Sequence, residues 1–127
     1  MARKNKILLV EDNPIHREVI YDGLDDFGFE IRKAEDVKVA RRILQEFRPD
    51  LIILDIVFGN VTNQGFLFAD ELKEKAEHKD TPILFISAHL DERGIAEEFP
   101  EHNRDNVLPK PFDFERLLNK MREILRG

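Results

Sequence analysis

The sequence predicts an α/β protein: a single doubly wound (βα)5 domain in which helices cover both faces of a parallel sheet, giving a three-layer sandwich. Four short runs are rich in Ile, Leu and Val without alternating polar residues, which is typical of parallel strands buried on both faces. Helical patterns with one apolar face separate these runs, so that strand and helix alternate along the chain. An eight-fold barrel would need about twice the 127 residues that are present.

Five strands are predicted. Four are the apolar stretches KILLV, DLIILDI, PILFIS and NVLP, which begin at residues 6, 50, 82 and 106. The fifth, FEIRKA from residue 29, alternates between apolar and polar residues as a half-exposed edge strand does. In DLIILDI a carboxylate, Asp55, follows directly on an apolar run. Because burying an unpaired charge costs free energy, Asp55 is expected to have partners elsewhere in the chain.

Five helices are predicted between and after the strands. Three of them are preceded by a residue suited to be an N-cap: Asn13, Asp36 and Asp113. Gly28 is a suitable stop for the first helix, and the second is expected to continue to the RPD stretch at residues 48–50. The third is expected to begin near Gly65, and a short fourth helix is placed at residues 91–99. The last has the clearest apolar face, formed by Phe114, Leu117, Leu118, Met121 and Leu125.

The composition fits one globular domain, residues 1–127. No apolar stretch approaches the length of a membrane span, and the first apolar run is too short for a signal peptide. The absence of cysteine excludes disulfides, thiolate catalysis and thiolate metal sites. The formal net charge of −6 argues against direct nucleic-acid binding, because phosphate contacts need clustered Lys and Arg. A cytoplasmic domain without membrane contact is therefore expected.

Polar residues follow each of the four apolar strands, at the edge where a doubly wound sheet binds its ligands. They are Glu11 and Asp12, Asp55, Ser87 and Lys110. Converging carboxylates repel one another unless a cation lies between them, and all-oxygen ligands select a hard ion such as Mg²⁺. A hydroxyl and an ammonium group would then bind an anionic group beside the metal. The pattern indicates phosphoryl transfer to the Asp55 carboxylate, which needs no general base at neutral pH.

Each of these residues has a simpler explanation when it is taken alone. An aspartate or serine after a strand is most often a helix cap or a turn residue, and the acid pair alone would be consistent with a turn into the first helix. Lys110 alone would be an ordinary surface residue. A shared site is favoured because all four apolar strands end in polar groups that suit one ligand.

The stretches ILLVEDN, DLIILDI, PILFISA and LPKPF together resemble the receiver domain of two-component response regulators, the CheY-like family. The resemblance spans nearly the whole chain, and the motifs follow the order of the family. It implies a flavodoxin-like fold with the parallel strand order 2-1-3-4-5. It also implies a signalling switch that catalyses only its own phosphotransfer and dephosphorylation, rather than an enzyme.

By this resemblance Asp55 is the phosphoacceptor, which takes its phosphoryl group from a sensor histidine kinase or a histidine phosphotransfer protein. The family's metal ion, Mg²⁺ or Mn²⁺, would be held by Glu11, Asp12, Asp55 and the backbone carbonyl of Val57. The Ser87 hydroxyl and the Lys110 ammonium would bind the phosphoryl oxygens. The lysine of this family is often followed by a cis peptide bond, so we predict one before Pro111.

The resemblance further implies two protein surfaces. The kinase would dock on the first helix near Ile15 and on the loop around Pro111. Phosphorylation would shift a two-state equilibrium at the face formed by the fourth predicted helix, the last strand and the last helix. That face would control a downstream protein or an output domain.

Three departures from the family pattern concern signalling and remove no chemical group from the site. Val107 stands where the family usually has Tyr or Phe. The loop at residues 56–65 is longer than usual, with Gly59 in place of a common proline, and residues 97–106 replace a usual Gly-Ala turn. His89, two positions beyond the serine, is placed to affect the lifetime of the phosphoryl group, as is the apolar residue at position 57. The remaining histidines are predicted to be surface residues: His16, His78 and His102.

Three other functions match parts of the pattern. A degenerate receiver would act as a docking module regulated without phosphate, and the missing aromatic at position 107 keeps this alternative open. A phosphatase of the haloacid dehalogenase type also forms an aspartyl phosphate, but it needs an acid two positions after Asp55, where Val57 stands. A flavodoxin-like FMN binder needs a phosphate loop rich in Gly and hydroxyl groups, whereas the acidic EDNP follows the first strand.

Overall fold

The computed structural model of the protein describes residues 4–56, 64–88 and 106–126. It contains one sheet whose strands are β1 (Lys6–Val10), β2 (Glu30–Ala34), β3 (Leu51–Asp55), β4 (Ile83–Ser87) and β5 (Asn106–Pro109). The spatial order is β2-β1-β3-β4-β5, and every neighbouring pair is parallel. The predicted α/β doubly wound fold and its strand order are confirmed.

Helices cover both faces of the sheet. They are α1 (Pro14–Asp26), α2 (Val37–Ile43), α3 (Gln64–Lys73) and the C-terminal helix (Phe114–Arg126). Buried residues of α2 and α3, such as Ala40 and Phe68, form one core, and those of α1 and the C-terminal helix, such as Leu24 and Leu117, form the other. The helix predicted at residues 91–99 lies outside the described residues. None of the described helices is long and apolar enough to cross a membrane.

β3 is the central strand, and each of its five residues is buried. Its side chains alternate between the two cores: Ile52 and Leu54 belong to one, and Leu51 and Ile53 to the other. This two-sided burial explains the unbroken apolar run, because a strand with one solvated face would alternate. β3 therefore carries Asp55 to the carboxyl edge of the sheet on a well-packed support.

The predicted N-caps are confirmed. Asn13 Oδ1 accepts hydrogen bonds from the backbone N–H groups of Ile15 (2.9 Å) and His16 (3.1 Å). Asp36 and Asp113 cap α2 and the C-terminal helix in the same way, over 2.9 Å and 2.8 Å. Since a capping side chain satisfies backbone donors at the start of a helix, it determines where the preceding loop ends.

Two features differ from the sequence prediction. α2 ends at Ile43 rather than near residue 48, because the chain tightens there into hydrogen bonds of the i to i−3 type, such as Gln45 N–H to Arg42 O (3.2 Å). His78, predicted to be a surface residue, is buried just beyond α3. Burial lowers the pKa of the His78 imidazole, because the charged form loses its hydration.

Candidate functional site

Three carboxylates meet at the carboxyl edge of the sheet, beyond β1 and β3. Glu11 and Asp12 follow β1 directly, and Asp55 is the last residue of β3. One oxygen atom from each of the three lies within 4.8 Å of the others. Glu11 and Asp55 are buried, whereas Asp12 is exposed. The fold thus brings together the acidic residues that the strand ends suggested, with two of them largely removed from water.

The ammonium group of Lys110 lies between two of these carboxylates. Its Nζ atom donates hydrogen bonds to Asp55 Oδ2 (3.1 Å) and to Glu11 Oε1. Only 11 % of the Lys110 side chain is exposed, so water and salt screen these ion pairs weakly. The lysine is placed by a continuation of the sheet pairing, in which Lys110 N–H donates to Ser87 O (2.6 Å). The peptide bond before Pro111 is cis, as predicted.

Hydrogen bonds fix the loop that carries the acid pair from β1 to α1. Glu11 Oε2 accepts from the backbone N–H of Asn13 (3.1 Å), so both carboxylate oxygens of Glu11 are engaged. Arg17 Nη1 donates to the carbonyl oxygen of Glu11 (2.9 Å) and, over 3.5 Å, to that of Asp12. Because Asn13 also caps α1, the position of Glu11 depends directly on where that helix begins.

Ser87 is the last residue of β4 and is buried. In the register of β3 and β4, Asp55 is opposite Ile86, so Ser87 lies one residue further toward the carboxyl edge. On its other side Ser87 is opposite Pro109, which directly precedes Lys110. The end of β3, Ser87 and Lys110 are therefore neighbours at one edge of the sheet.

Several predicted features lie outside the residues that the structure describes. The Val57 carbonyl, expected as a metal ligand, is one of them, and His89 is another. Most of the two altered segments, residues 56–65 and 97–106, also lie outside. Their roles stay predictions.

Burial and charge shift the pKa values of two residues in the site. Burial, together with repulsion from Asp55, raises the pKa of Glu11 to about 7, although the hydrogen bond from Lys110 acts in the opposite direction. Burial alone would lower the pKa of Lys110, but its hydrogen bonds and charge interactions with Glu11 and Asp55 raise it overall. Lys110 therefore remains an ammonium. The donor set of three carboxylates fits a hard divalent cation, because such an ion prefers oxygen ligands.

Without metal, the contribution of Glu11 to the free energy of unfolding is expected to decrease as the pH rises. The folded-state pKa of about 7 lies above the ordinary value of 4.5, so the folded protein binds more protons between these values than the unfolded chain does. The contribution is fully present below pH 4.5 and is lost as the pH passes through about 7; it amounts to roughly 3 kcal/mol. Urea unfolding in EDTA across this range measures it, with Glu11→Gln as the comparison.

His78 acts in the opposite direction in the same measurement. Because its folded-state pKa is lower than the ordinary 6.5, it destabilises the folded protein as the pH falls below that value. This effect is present in both the native protein and Glu11→Gln, so the difference between the two isolates the carboxyl group of Glu11. The same pH dependence in both proteins would contradict the raised pKa of Glu11.

The strand-end pattern does not identify two residues that the structure places at the site. His16 is exposed, as predicted, and its Nδ1 atom lies 3.3 Å from Lys110 Nζ. Gly65, in the first turn of α3, packs so closely on β3 that a Cβ atom there would lie 2.2 Å from the carbonyl oxygen of Asp55. For the contact of Gly65, the sequence signal is a glycine at the start of a helix that follows the site loop. No sequence signal indicates the contact of His16.

Comparison with known proteins identifies the family to which this geometry corresponds. The family model described as the response regulator receiver domain matches residues 7–122. The chain belongs to this family. The receiver is 32 % identical to the phosphate regulon transcriptional regulatory protein PhoB of Escherichia coli K12, over 99 % of this chain and 53 % of that protein. It is 28 % identical to the DNA-binding dual master transcriptional regulator RpaA of a Synechocystis species, over 95 % of this chain and 49 % of that protein.

Among solved structures, the receiver is similar to the chemotaxis response regulator CheY4 of Vibrio cholerae. The TM-score is 0.82 at 28 % sequence identity, and the match covers 96 % of this chain and 99 % of that chain. By contrast, the receiver spans about half the length of the curated relatives it matches. Response regulators are signalling proteins that work with histidine kinases and output domains. The family resemblance inferred from the sequence motifs is confirmed.

Proposed function

We propose that this receiver is a phosphorylation-dependent signalling switch in which Asp55 accepts the phosphoryl group. The observation that supports this most strongly is the hydrogen bond from Lys110 to Asp55 within the cluster of three carboxylates. Phosphoryl transfer needs correct positioning and neutralisation of developing negative charge. A buried carboxylate at a strand end, with a fixed ammonium on one side and acidic metal ligands on the other, provides both.

The proposed cation is Mg²⁺, with Mn²⁺ as a substitute. The residues that would hold it are Glu11, Asp12, Asp55 and the backbone carbonyl of Val57. When bound, the ion neutralises negative charge on the carboxylates and on the phosphoryl oxygens. The raised pKa of Glu11 supports this assignment, because burial and, to a smaller extent, repulsion from Asp55 make its charged form costly when no cation lies beside it.

The proposed reaction is a direct transfer to the Asp55 side chain. A carboxylate oxygen of Asp55 forms a bond to phosphorus while the P–N bond of the donor phosphohistidine breaks, and the donor imidazole leaves with the electron pair. No general base is required, because the carboxylate is already deprotonated at neutral pH. Lys110 and the Ser87 hydroxyl then donate hydrogen bonds to the phosphoryl oxygens, which are stronger acceptors than neutral groups because they are charged.

The proposed phosphodonor is a sensor histidine kinase or a histidine phosphotransfer protein that docks on α1 and on the loop after β5. The apolar side chains of Ile15 and Val19 are 72 % and 65 % exposed on α1. Beside them lies a cavity of about 210 Å³, lined in part by Val19, Lys110 and Pro111. An exposed apolar patch next to the site suits a partner that must bring its phosphohistidine to Asp55.

The proposed output is a shift of a two-state equilibrium at the face that includes β5, the C-terminal helix and the predicted fourth helix. This face would act on a downstream protein or an output domain. We further propose that the receiver catalyses only its own phosphotransfer and dephosphorylation and works in the cytoplasm. Its net charge of −6 favours a domain that does not itself contact nucleic acid.

Incubation with acetyl phosphate and Mg²⁺ tests this function. We expect the intact mass of the native protein to increase by one phosphoryl group, and no increase in EDTA. Asp55→Asn should stay unmodified because its amide is not a nucleophile, whereas Asp22→Asn, at an exposed position of α1, should be modified like the native protein. A native protein that stays unmodified would contradict the proposal and favour a docking module regulated without phosphate.

A further inference from the structure

The ammonium group of Lys110 has three N–H bonds, and in the part of the chain that the structure describes three acceptors surround it. Two of these are the carboxylates of Glu11 and Asp55. The third is the Nδ1 atom of His16, which lies 3.3 Å from Lys110 Nζ. An imidazole thus completes the set of hydrogen bonds around the lysine that contacts the proposed phosphoacceptor.

The direction of this third hydrogen bond follows from the chemistry of the two groups. An ammonium can only donate, so His16 Nδ1 is the acceptor and the ring proton is on Nε2. The 3.9 Å separation between Nδ1 and Glu11 Oε1 is then not an ion pair, because this form of the imidazole carries no charge. His16 therefore binds Lys110 through a neutral acceptor, unlike the two carboxylates.

His16 is held by the helix that carries it. It lies in the first turn of α1, where its backbone N–H donates to the capping Oδ1 atom of Asn13 (3.1 Å). Its side chain is 49 % exposed and lines the 210 Å³ cavity together with Lys110 and Pro111. The imidazole therefore stands at the border between the carboxylate cluster and this cavity.

We propose that His16 is a positioning residue that keeps the Lys110 ammonium directed at Asp55. The inference rests on the proposed function, in which the oxygens of Glu11 and Asp55 are shared with a metal ion. Mg²⁺ prefers oxygen ligands, so it does not compete for the imidazole nitrogen. Nδ1 remains available to the lysine when the carboxylates interact with the ion. Without it, Lys110 would keep only hydrogen bonds to carboxylates that are shared with the ion.

Two substitutions separate this role from simple packing. His16→Leu has a similar size and removes the acceptor, whereas His16→Asn keeps an acceptor oxygen near the place of Nδ1. With acetyl phosphate and saturating Mg²⁺, we expect His16→Leu to be phosphorylated about fivefold more slowly than the native protein. His16→Asn should recover the rate to within about twofold, and the dissociation constant for Mg²⁺ should change by less than about twofold in both variants.

Acetyl phosphate is small, so these rates do not depend on the docking of a protein partner. A native rate in His16→Leu would overturn the proposal. An equal loss in both variants would also overturn it, since packing rather than the acceptor atom would then be responsible. Phosphorylation of the native protein tests the proposed function. The ratio of the phosphorylation rates of His16→Leu and His16→Asn tests the inference about His16.

A second measurement does not require phosphorylation. In long-range ¹H–¹⁵N spectra of the metal-free native protein, we expect His16 to have an unprotonated Nδ1 and a protonated Nε2. In Lys110→Met, which removes the donor, both neutral tautomers should be populated. A proton on Nδ1 in the native protein, or a ring tautomer unaffected by Lys110→Met, would overturn the proposal even if the receiver is phosphorylated normally.

Discussion

Replacing Lys110 with methionine is expected to slow phosphorylation by acetyl phosphate about 100-fold, because it removes a preorganised positive charge beside the reacting carboxylate. The same substitution should increase the affinity for Mg²⁺. In the metal-free protein the Lys110 ammonium binds oxygens of Glu11 and Asp55 that the ion would use, so the two cations compete. Time courses of intact mass at saturating Mg²⁺ and calorimetric titration with Mg²⁺ measure the two effects.

A lower phosphorylation rate together with a higher affinity for Mg²⁺ distinguishes the loss of a charge from damage to the fold. Lys38→Met removes the same charge from an exposed position on α2 and is the matched control, with native rate and native affinity expected. A parallel loss of rate and of Mg²⁺ affinity in Lys110→Met would contradict the competition. An unchanged rate would remove Lys110 from the proposed chemistry.

Gly65→Ala is expected to cost about 3 kcal/mol of folding stability and to slow phosphorylation as well. A Cβ atom at this position would lie 2.2 Å from the carbonyl oxygen of Asp55 and 2.7 Å from the Cα atom of Ile56. These are backbone atoms of the central strand end, so they cannot be relieved by a side-chain rotation. Either α3 or the end of β3 must move, and movement of β3 displaces Asp55 from Lys110. Urea unfolding and phosphorylation rates measure the two losses.

Gly23→Ala is the matched control for this substitution. It introduces the same methyl group into α1, where the Cβ atom would lie 2.5 Å from Phe114 Cε2. That atom belongs to the half-buried ring at the end of a side chain, which can shift without a movement of the backbone, and alanine favours the helix by about 1 kcal/mol over glycine. We expect a small change in stability and a native phosphorylation rate. Native stability and rate in Gly65→Ala would show that the close contact does not position Asp55.

The sheet is predictable from the sequence because the burial of each strand determines its pattern. β3 is covered on both faces and reads as an unbroken apolar run, whereas in β2, at the edge of the sheet, Arg32 and Lys33 are exposed between buried residues. Gly28 stops α1 as expected, with a positive φ of 87° that glycine adopts readily. The end of α2 is not predictable in this way, since Leu44 and Phe47 stay buried after the helix has ended.

The acidic cluster and Lys110 follow from the sequence for a topological reason. Parallel strands end at the same edge of a sheet, so residues that follow different strands become neighbours. No such rule predicts the contact of His16 with Lys110, because His16 belongs to a helical turn and Lys110 is 94 positions away in the sequence. The raised pKa of Glu11 likewise results from burial by the complete fold, and no local pattern reports it.

The central claim is that Asp55 accepts the phosphoryl group, and locating the modification tests it most directly. Borohydride reduces an aspartyl phosphate to homoserine, which marks the residue in a peptide map. After treatment with acetyl phosphate and Mg²⁺, we expect homoserine at position 55 and unmodified peptides around Glu11 and Asp12, which lie in the same carboxylate cluster. Homoserine at position 12, or a phosphorylated protein without homoserine at position 55, would contradict the claim.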